Sequence, residues 1–370
     1  MSRAARAVID LDALRHNLQR AQAADPKARQ FPVIKADAYG HGLLPVAQAL
    51  ADADGFAVAS LEEALVLREA GIHQPVLLLE GFFHADELVK IQQYQLDIVV
   101  HHAMQLDALQ ALAKQQDISK PITVWLKVDT GMHRLGFTPD AVPAAWTRLS
   151  ACDVVNQPPR LMTHLACADD FHNASTQQQI ESFNNVLPSV QAERSIANSA
   201  GTLGWLGSHA DIDRPGIMLY GASPFLGETG ADRHLRPVMT LRSELIAINT
   251  CQAGDAVGYG GTWVCPEAMS VGVVSIGYGD GYPRHAPSGT PVLVNGVEVP
   301  LIGRVSMDMI SVDLRGLPAA KVGDEVVLWG EGLPAETVAQ AAATIVYTLF
   351  CSVTARVPRQ YLQGGITTTV

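Results

Sequence analysis

The sequence predicts an α/β chain in two parts, a (β/α)8 barrel followed by a mostly β domain. Three observations predict it. Eight short apolar runs recur through the first 221 of the 370 residues, amphipathic stretches separate them, and near residue 235 the pattern changes to β-type runs broken by Gly and Pro. At ~150 residues per domain the length suits two or three domains. The boundary is expected between 235 and 236, with residues 1–235 in the barrel and 236–370 in the β domain.

The opening RAVIDLDAL reads as a strand, and residues 1–10 are expected to join the sheet of the second domain. The barrel runs are FPVIKA (31–36), GFAVAS (55–60), PVLLLE (75–80), LDIVV (96–100), ITVWLKVD (122–129), RLMTHL (160–165), SIANS (195–199) and IDRPGIMLYG (212–221). Between the second and third lies SLEEALVLREAG (60–71), where Ser60 followed by Glu63 fits a capping box and Gly71 a helix stop. An open doubly wound sheet reads similarly, but a count of eight favours the barrel. Functional residues of such barrels sit at the C-terminal ends of the strands. The polar residues that end the runs, Lys35, Asp129, His164, Asn198 and Arg214, are therefore expected at one mouth.

The second part carries the β-type runs 238–248, 269–283, 290–303, 309–314 and 325–330, with VLV-NG-VEV (292–299) as an Asn-Gly hairpin signal. Thr337 to Ala355 is uncharged over 19 residues, but its Gln, Ser and Thr content argues against a membrane span. It reads as a buried helix over 337–344 running into a strand.

Composition excludes several classes. Lys and Arg number 26 against 37 Asp and Glu, a net charge of −11, with no block of five like charges. A sequence-independent nucleic-acid binder needs a basic face, and a peripheral membrane protein a polybasic anchor. Five widely spaced cysteines (152, 167, 251, 265 and 351) without a CxxC argue against a disulfide framework or a cysteine-ligated zinc site, and the histidines lack metal-ligand spacing. No metal is expected. The N-terminus has no long apolar core, so a cytoplasmic location is expected.

The chemistry starts at Lys35. A lysine at a strand end inside a barrel mouth is partly desolvated, which frees its amine as a nucleophile toward carbonyls. Tyr39-Gly40-His41-Gly42 follows with a hydroxyl and flexible amides suited to a phosphate. Together they suggest pyridoxal phosphate held through a Schiff base. Asn198-Ser199-Ala200-Gly201 and Arg214-Pro215-Gly216-Ile217 are further strand-to-helix turns that offer amides, a hydroxyl and a cation. Each of these alone is equally well a structural turn.

Taken in order, VIKADAYGHG, LKVDTGMHRLGF, MTHLACAD, ANSAG, DRPGIMLYG, VGYGGTW, IGYGDGYPR, GRVSMDM and ARVPR span residues 33–359. This ordered set resembles the bacterial alanine racemases, pyridoxal-phosphate enzymes of fold type III, from about residue 6 to residue 361. The resemblance implies that Lys35 is the Schiff-base lysine and the acid/base for the D-enantiomer, with Tyr259 as the opposite acid/base. Arg134 resembles the arginine that meets the substrate carboxylate, and Met307 the backbone N–H that shares it. Lys127 matches a lysine that the family carries as a carbamate. Arg214 resembles the partner of the pyridine nitrogen, with His164 behind it. Asn198 belongs to the same cofactor-binding set, and Tyr39, Ser199, Gly216, Ile217 and Tyr347 match phosphate contacts. Asp169, Tyr278, Arg284 and Arg304 resemble the substrate entryway. Ser306, His133 and Asp37 depart from residues found in other members, and none of the three removes a group the chemistry needs.

Racemisation removes the Cα proton from one face and returns one to the other, which two bases on opposite faces do readily and one does not. The resemblance thus implies interconversion of L- and D-alanine, either to supply D-alanine for peptidoglycan precursors or to degrade it, and a head-to-tail homodimer in which one subunit's barrel meets the other's β domain. The alternatives are a pyridoxal-phosphate racemase of serine or of broader scope, a decarboxylase on the same barrel, and a non-catalytic pyridoxal-phosphate carrier. The carrier needs the barrel but not the β domain.

Overall fold

A computed structural model describes residues 3–114 and 120–369. Strand β1 (Arg6–Asp10) leads into a helix at Leu11–Ala24, whose first turn is capped by the Asp10 carboxylate accepting from the Asp12 and Ala13 N–H groups. Eight parallel strands follow: β2 (Arg29–Gln30), β3 (Phe56–Val58), β4 (Val76–Leu78), β5 (Asp97–Val100), β6 (Val124–Lys127), β7 (Arg160–Met162), β8 (Arg194–Ser195) and β9 (Ile212–Asp213). β3 to β8 pair in sequence order and β2 pairs with β9. The two groups join where Val33 bridges to Ala57 and where the Arg214 N–H donates to the Ala197 carbonyl at 3.0 Å. The sheet therefore closes. β3 to β6 are buried at every position, because strands of a parallel barrel are covered by side chains inside and by helices outside. Phe31 and Trp125 fill the interior with ring centroids 5.5 Å apart.

The second domain is built on β10 (Met239–Cys251), a 13-residue strand with a bulge between Leu245 and Ala247. After a two-stranded hairpin of β11 (Ala256–Val257) and β12 (Trp263–Val264) come β13 (Met269–Val274), β14 (Pro291–Val294), β15 (Val297–Ile302), β16 (Ile310–Asp313) and β17 (Glu325–Trp329). The order β13-β16-β15-β14-β17-β10 closes on itself, since β10 pairs with both β17 and β13. Asn295 and Gly296, at φ 49° and 76°, make the turn between β14 and β15, the positive φ pair that an Asn-Gly hairpin requires. β1, β18 (Arg359–Gln363) and β19 (Ile366–Thr369) extend this sheet from β10, so the first strand of the chain belongs to the last sheet.

Three expectations need correction. The uncharged stretch after residue 337 holds two helices, Ala335–Ala341 and Val346–Ser352, with no strand between or after them up to Ser352. Val346, Leu349, Phe350 and Val353 recur at helical spacing and are all buried, and Ala343 at φ 50° makes the break. The run 269–283 is a strand only to Val274 and then turns through a 3-10 segment at Tyr278–Asp280. Ser60 caps the helix Leu61–Glu69, but Glu63 does not complete a capping box; its carboxylate accepts from Ala59 and Ala36 N–H groups at 2.8 and 2.6 Å.

Candidate active site

Lys35 stands where the first barrel run ends, and the chain after it does something unusual. Ala36, Asp37, Ala38 and Tyr39 all have φ between 52° and 54°, a left-handed turn made without glycine. Each such residue costs about 1–2 kcal/mol, so the surroundings must hold it. Glu63 takes the Ala36 N–H, the Asp37 carboxylate takes the Leu43 N–H at 2.8 Å, and the Gly40 carbonyl takes Arg359 Nε at 2.8 Å. Tyr361 donates to the His41 carbonyl at 3.1 Å. The β domain of the same chain thus clamps the loop that follows Lys35. His41 is fully buried and burial pushes its pKa down to about 3, so the ring is neutral and its Nδ1–H serves the Ala38 and Tyr39 carbonyls.

The barrel mouth opens into a cavity of ≈ 770 Å³ lined by Lys35, Tyr39, Lys127, Arg134, His164, Asp169, Asn198, Ser199, Arg214, Gly216, Ile217 and Tyr347. Of the five run-ending residues expected at the mouth, only Asp129 is not in this lining. Its carboxylate accepts instead from the Gly131 and His133 N–H groups at 3.1 and 3.0 Å, folding the loop that carries Arg134.

One wall is cationic. Lys127 ends β6 and is 6 % exposed. Burial, then Arg214, Arg134 and Lys35, push its pKa down to about 8. Arg214 follows β9, and burial lowers its pKa to about 10, which leaves it charged at neutral pH. Its Nη2 donates to the Thr163 and Ile196 carbonyls at 2.6 and 3.4 Å and its Nη1 to Ser195 Oγ. No partner takes Nε among the described residues. Burial and the same cations push His164 far below its ordinary pKa, so its ring is neutral.

Another part of the lining suits a phosphate. Asn198 caps the short helix Ser199–Gly204 by accepting from the Gly201 N–H at 3.0 Å. Ser199 Oγ accepts from the Gly216 and Met218 N–H groups at 2.8 and 3.3 Å, which uses both lone pairs and leaves the hydroxyl proton to donate. Tyr39 stacks on Tyr220 at 4.7 Å and leans on Tyr347 at 5.7 Å, with its hydroxyl beside Gly216. A Cβ built on Gly216 would sit 2.8 Å from that hydroxyl, so the glycine keeps this corner open. Pyridoxal phosphate asks for a lysine amine, hydroxyl and amide donors for its phosphate, and a partner for its ring nitrogen. The cavity supplies all three kinds of group, and the residues present fit it.

Tyr259, Met307, Tyr278, Arg284 and Arg304 do not line this cavity. They gather on the β domain. The turn Tyr259–Gly261 lies against Arg304, whose Nη1 would be 3.2 Å from a Cβ at Gly260. The Arg284 guanidinium sits 5.8 Å from the centre of the Tyr278 ring, and Gly279 N–H donates to the Met307 carbonyl at 2.9 Å. The Met307 N–H has no partner among the described residues. Tyr259 is 68 % and Met307 51 % exposed. The chain thus presents two separate groups of residues, a cationic barrel cavity and an aromatic face on the β domain. Glu63, which holds the loop after Lys35, and Asp280, beside Tyr278, carry no signal of these roles in the sequence beyond the capping-box spacing of Glu63.

Two family models cover the chain, "Alanine racemase, N-terminal domain" over residues 9–224 and "Alanine racemase, C-terminal domain" over residues 238–361. An alanine racemase of Halorhodospira halophila is 52 % identical over 365 residues, covering 98 % of this chain and 99 % of that protein. A biosynthetic alanine racemase of Escherichia coli O6:H1 is 51 % identical over 360 residues, covering 97 % and 99 %. The crystal structure of the biosynthetic alanine racemase from Pseudomonas aeruginosa superposes with a TM-score of 0.94 at 48 % identity, covering 98 % of this chain and all of that one.

Proposed function

The chain belongs to the alanine racemase family and is an isomerase that racemises alanine; we propose that it does so with pyridoxal phosphate held at Lys35 and with two acid/base groups, Lys35 and Tyr259. The observation that carries this reading is the convergence of Lys35, Lys127, Arg134 and Arg214 on a cavity that is also lined by Tyr39, Ser199 and Gly216.

Pyridoxal phosphate, when bound, withdraws electrons from the substrate Cα and so acidifies its proton. The protein's residues do the rest. Lys35 holds the cofactor and then, at Nζ, moves a proton on one face of Cα. Tyr39, Ser199, Gly216 and Ile217 hold the phosphate, with Asn198 fixing the Ser199 helix and Tyr347 closing the corner. Arg214, whose Nε has no partner among the described residues, would donate to the ring nitrogen, and the neutral His164 would add no competing charge. An arginine there donates without giving up a proton, so the ring withdraws electrons less strongly than beside a carboxylate.

Tyr259, at Oη, serves the other face of Cα. Within one chain it lies outside the cavity, so we place Tyr259 of the partner subunit over the Lys35 cavity of its neighbour, in a two-fold homodimer with shared sites. The exposure of Tyr259 and Met307 supports this, as does the partnerless Met307 N–H, which suits one oxygen of the alanine carboxylate while Arg134 takes the other. Tyr278, Arg284 and Arg304 then rim the entryway with Asp169. Lys127, with its pKa near 8, carries enough free amine to add carbon dioxide. A bond forms between Nζ and the carbon, a proton leaves to solvent, and the carbamate anion pairs with Arg134.

No helix among the described residues is long and apolar enough to cross a membrane. Five free cysteines support a cytoplasmic setting, and the biosynthetic relatives support a role in making D-alanine for peptidoglycan precursors. The test is polarimetry. L-Alanine or D-alanine with the wild-type protein should lose rotation to zero, and Lys35→Ala should leave it constant. A wild-type protein that leaves the rotation unchanged would remove the activity.

A further inference from the structure

Three sequence motifs have no part in the chemistry above: the glycine row Gly277, Gly279 and Gly281, the Asp308 of SMDM, and the Arg356 of ARVPR. The structure brings them together around one carboxylate. Asp280 is fully buried. Its Oδ2 accepts from Arg3 Nη2 at 2.7 Å and from the Gly277 N–H at 3.0 Å. Its Oδ1 faces Arg356 Nε at 3.5 Å. Both arginines also reach Asp308, Arg356 through Nη2 at 2.6 Å and Arg3 through Nη1 at 3.4 Å. Arg3 Nη2 further meets the Asp308 carbonyl at 3.3 Å. The Asp280 carbonyl accepts from the Thr354 N–H at 3.1 Å, and Thr354 Oγ1 donates to the Gly279 carbonyl at 3.0 Å.

This cluster fixes one backbone against another. The Tyr278 and Gly279 N–H groups donate to the Ser306 and Met307 carbonyls at 3.0 and 2.9 Å. The two segments lie so close that a Cβ at Gly277 would stand 2.3 Å from the Ser306 carbonyl oxygen and 2.5 Å from that of Met307. The glycines are there for close approach. Both carbonyls are thereby taken by the Tyr278 turn, while the Met307 N–H has no partner among the described residues.

We propose that Asp280 is a positioning residue for substrate binding: with Arg3 and Arg356 it locks the Tyr278 turn to the Met307 segment, so that the β domain presents a preformed carboxylate-binding edge to the partner's cavity. A buried carboxylate between two arginines from opposite ends of the chain is costly to desolvate unless its partners stay in place, which makes the arrangement two-sided. Removing one partner loosens the edge as well as the cluster. The proposal rests on the reading of Met307 and Tyr278 given above. It adds that their alignment is set by a group that never touches substrate.

The test uses the cofactor-loaded, full-length protein and three variants, Asp280→Asn, Arg3→Met and Arg356→Met. The arginines are part-exposed, so their variants keep the test valid if the buried substitution does not fold. In each folded variant, KM for alanine should rise about tenfold while kcat stays within a factor of about three, the pattern of lost ground-state and transition-state binding in equal measure. Amide hydrogen exchange over residues 303–309 should quicken, and the absorbance of the Lys35-bound cofactor should not change. Unchanged KM with unchanged exchange would overturn the proposal. So would a fall in kcat that tracks folded protein at constant KM, which is what a merely structural cluster gives. A wild-type protein that fails to racemise alanine would instead sink the underlying reading.

Discussion

Gly216 and Tyr39 meet across the floor of the cavity, and a methyl group on the glycine would come within 2.8 Å of the tyrosine hydroxyl. Ser199 Oγ sits on the Gly216 N–H at 2.8 Å, and Tyr39 has no freedom to retreat because Tyr220 stacks on its ring at 4.7 Å. Gly216→Ala should therefore weaken pyridoxal phosphate binding about tenfold or more, by displacing the hydroxyl from the anion it serves. A spectral titration of cofactor-stripped protein measures this. Equal affinity in the variant would show that the phosphate lies elsewhere.

On the proposed reading, Arg214 would limit how strongly a bound pyridine ring withdraws electrons. It is charged at neutral pH and tied to two barrel carbonyls. A carboxylate in its place would keep the ring nitrogen protonated. Arg214→Glu should slow racemisation and raise transamination, read as pyruvate formed from alanine, by at least about tenfold. A variant that forms no added pyruvate contradicts the role.

Shared sites predict complementation. Lys35→Ala and Tyr259→Phe homodimers should each be nearly inactive. In a randomly mixed population, half the dimers are hybrids, and each hybrid has one intact site, so about a quarter of wild-type activity should return. Hybrids that form, as shown by native mass spectrometry, yet remain inactive would mean that each chain completes its own site.

Stability should depend on pH through Asp213, a fully buried carboxylate next to Arg214. Burial, with the nearby charge of Asp25, raises its pKa from 3.8 to about 6, while Thr202 and His209 oppose the rise. Because the folded value lies above the unfolded one, the folded state holds the proton more tightly. The stabilisation is complete below pH 3.8 and is lost as the pH rises through about 6. At 1.36 kcal/mol per pH unit this is about 3 kcal/mol. Asp213→Asn should flatten the decline in stability between pH 4 and 7 by that order, measured by denaturant unfolding. Parallel curves for the two proteins would show that Asp213 titrates normally.

Much of this was legible from residue order. The eight apolar runs mark the barrel strands because parallel strands buried on both faces read as continuous apolar stretches, and the run-ending Lys35, His164, Asn198 and Arg214 mark the mouth. What was not legible is set by contacts remote in sequence. Nothing in Ala-Asp-Ala-Tyr announces a left-handed turn; Glu63, Arg359 and Tyr361 impose it from 27 to 320 residues away. Glu63 looked like a capping partner because the same spacing serves both purposes. The strand expected after residue 344 is the helix Val346–Ser352, because a short apolar run with β-branched residues fits either period. The glycine row at 277–281 carried no sign of the Ser306–Met307 backbone it packs against.

The account stands or falls on Lys35. The purified protein should show the visible absorbance of a lysine-bound pyridoxal phosphate, borohydride should bleach it, and peptide mapping should find the reduced adduct on Lys35. An adduct on another lysine, such as Lys127, or no absorbance even after added pyridoxal phosphate, would contradict the assignment of the cavity and of every residue placed in it.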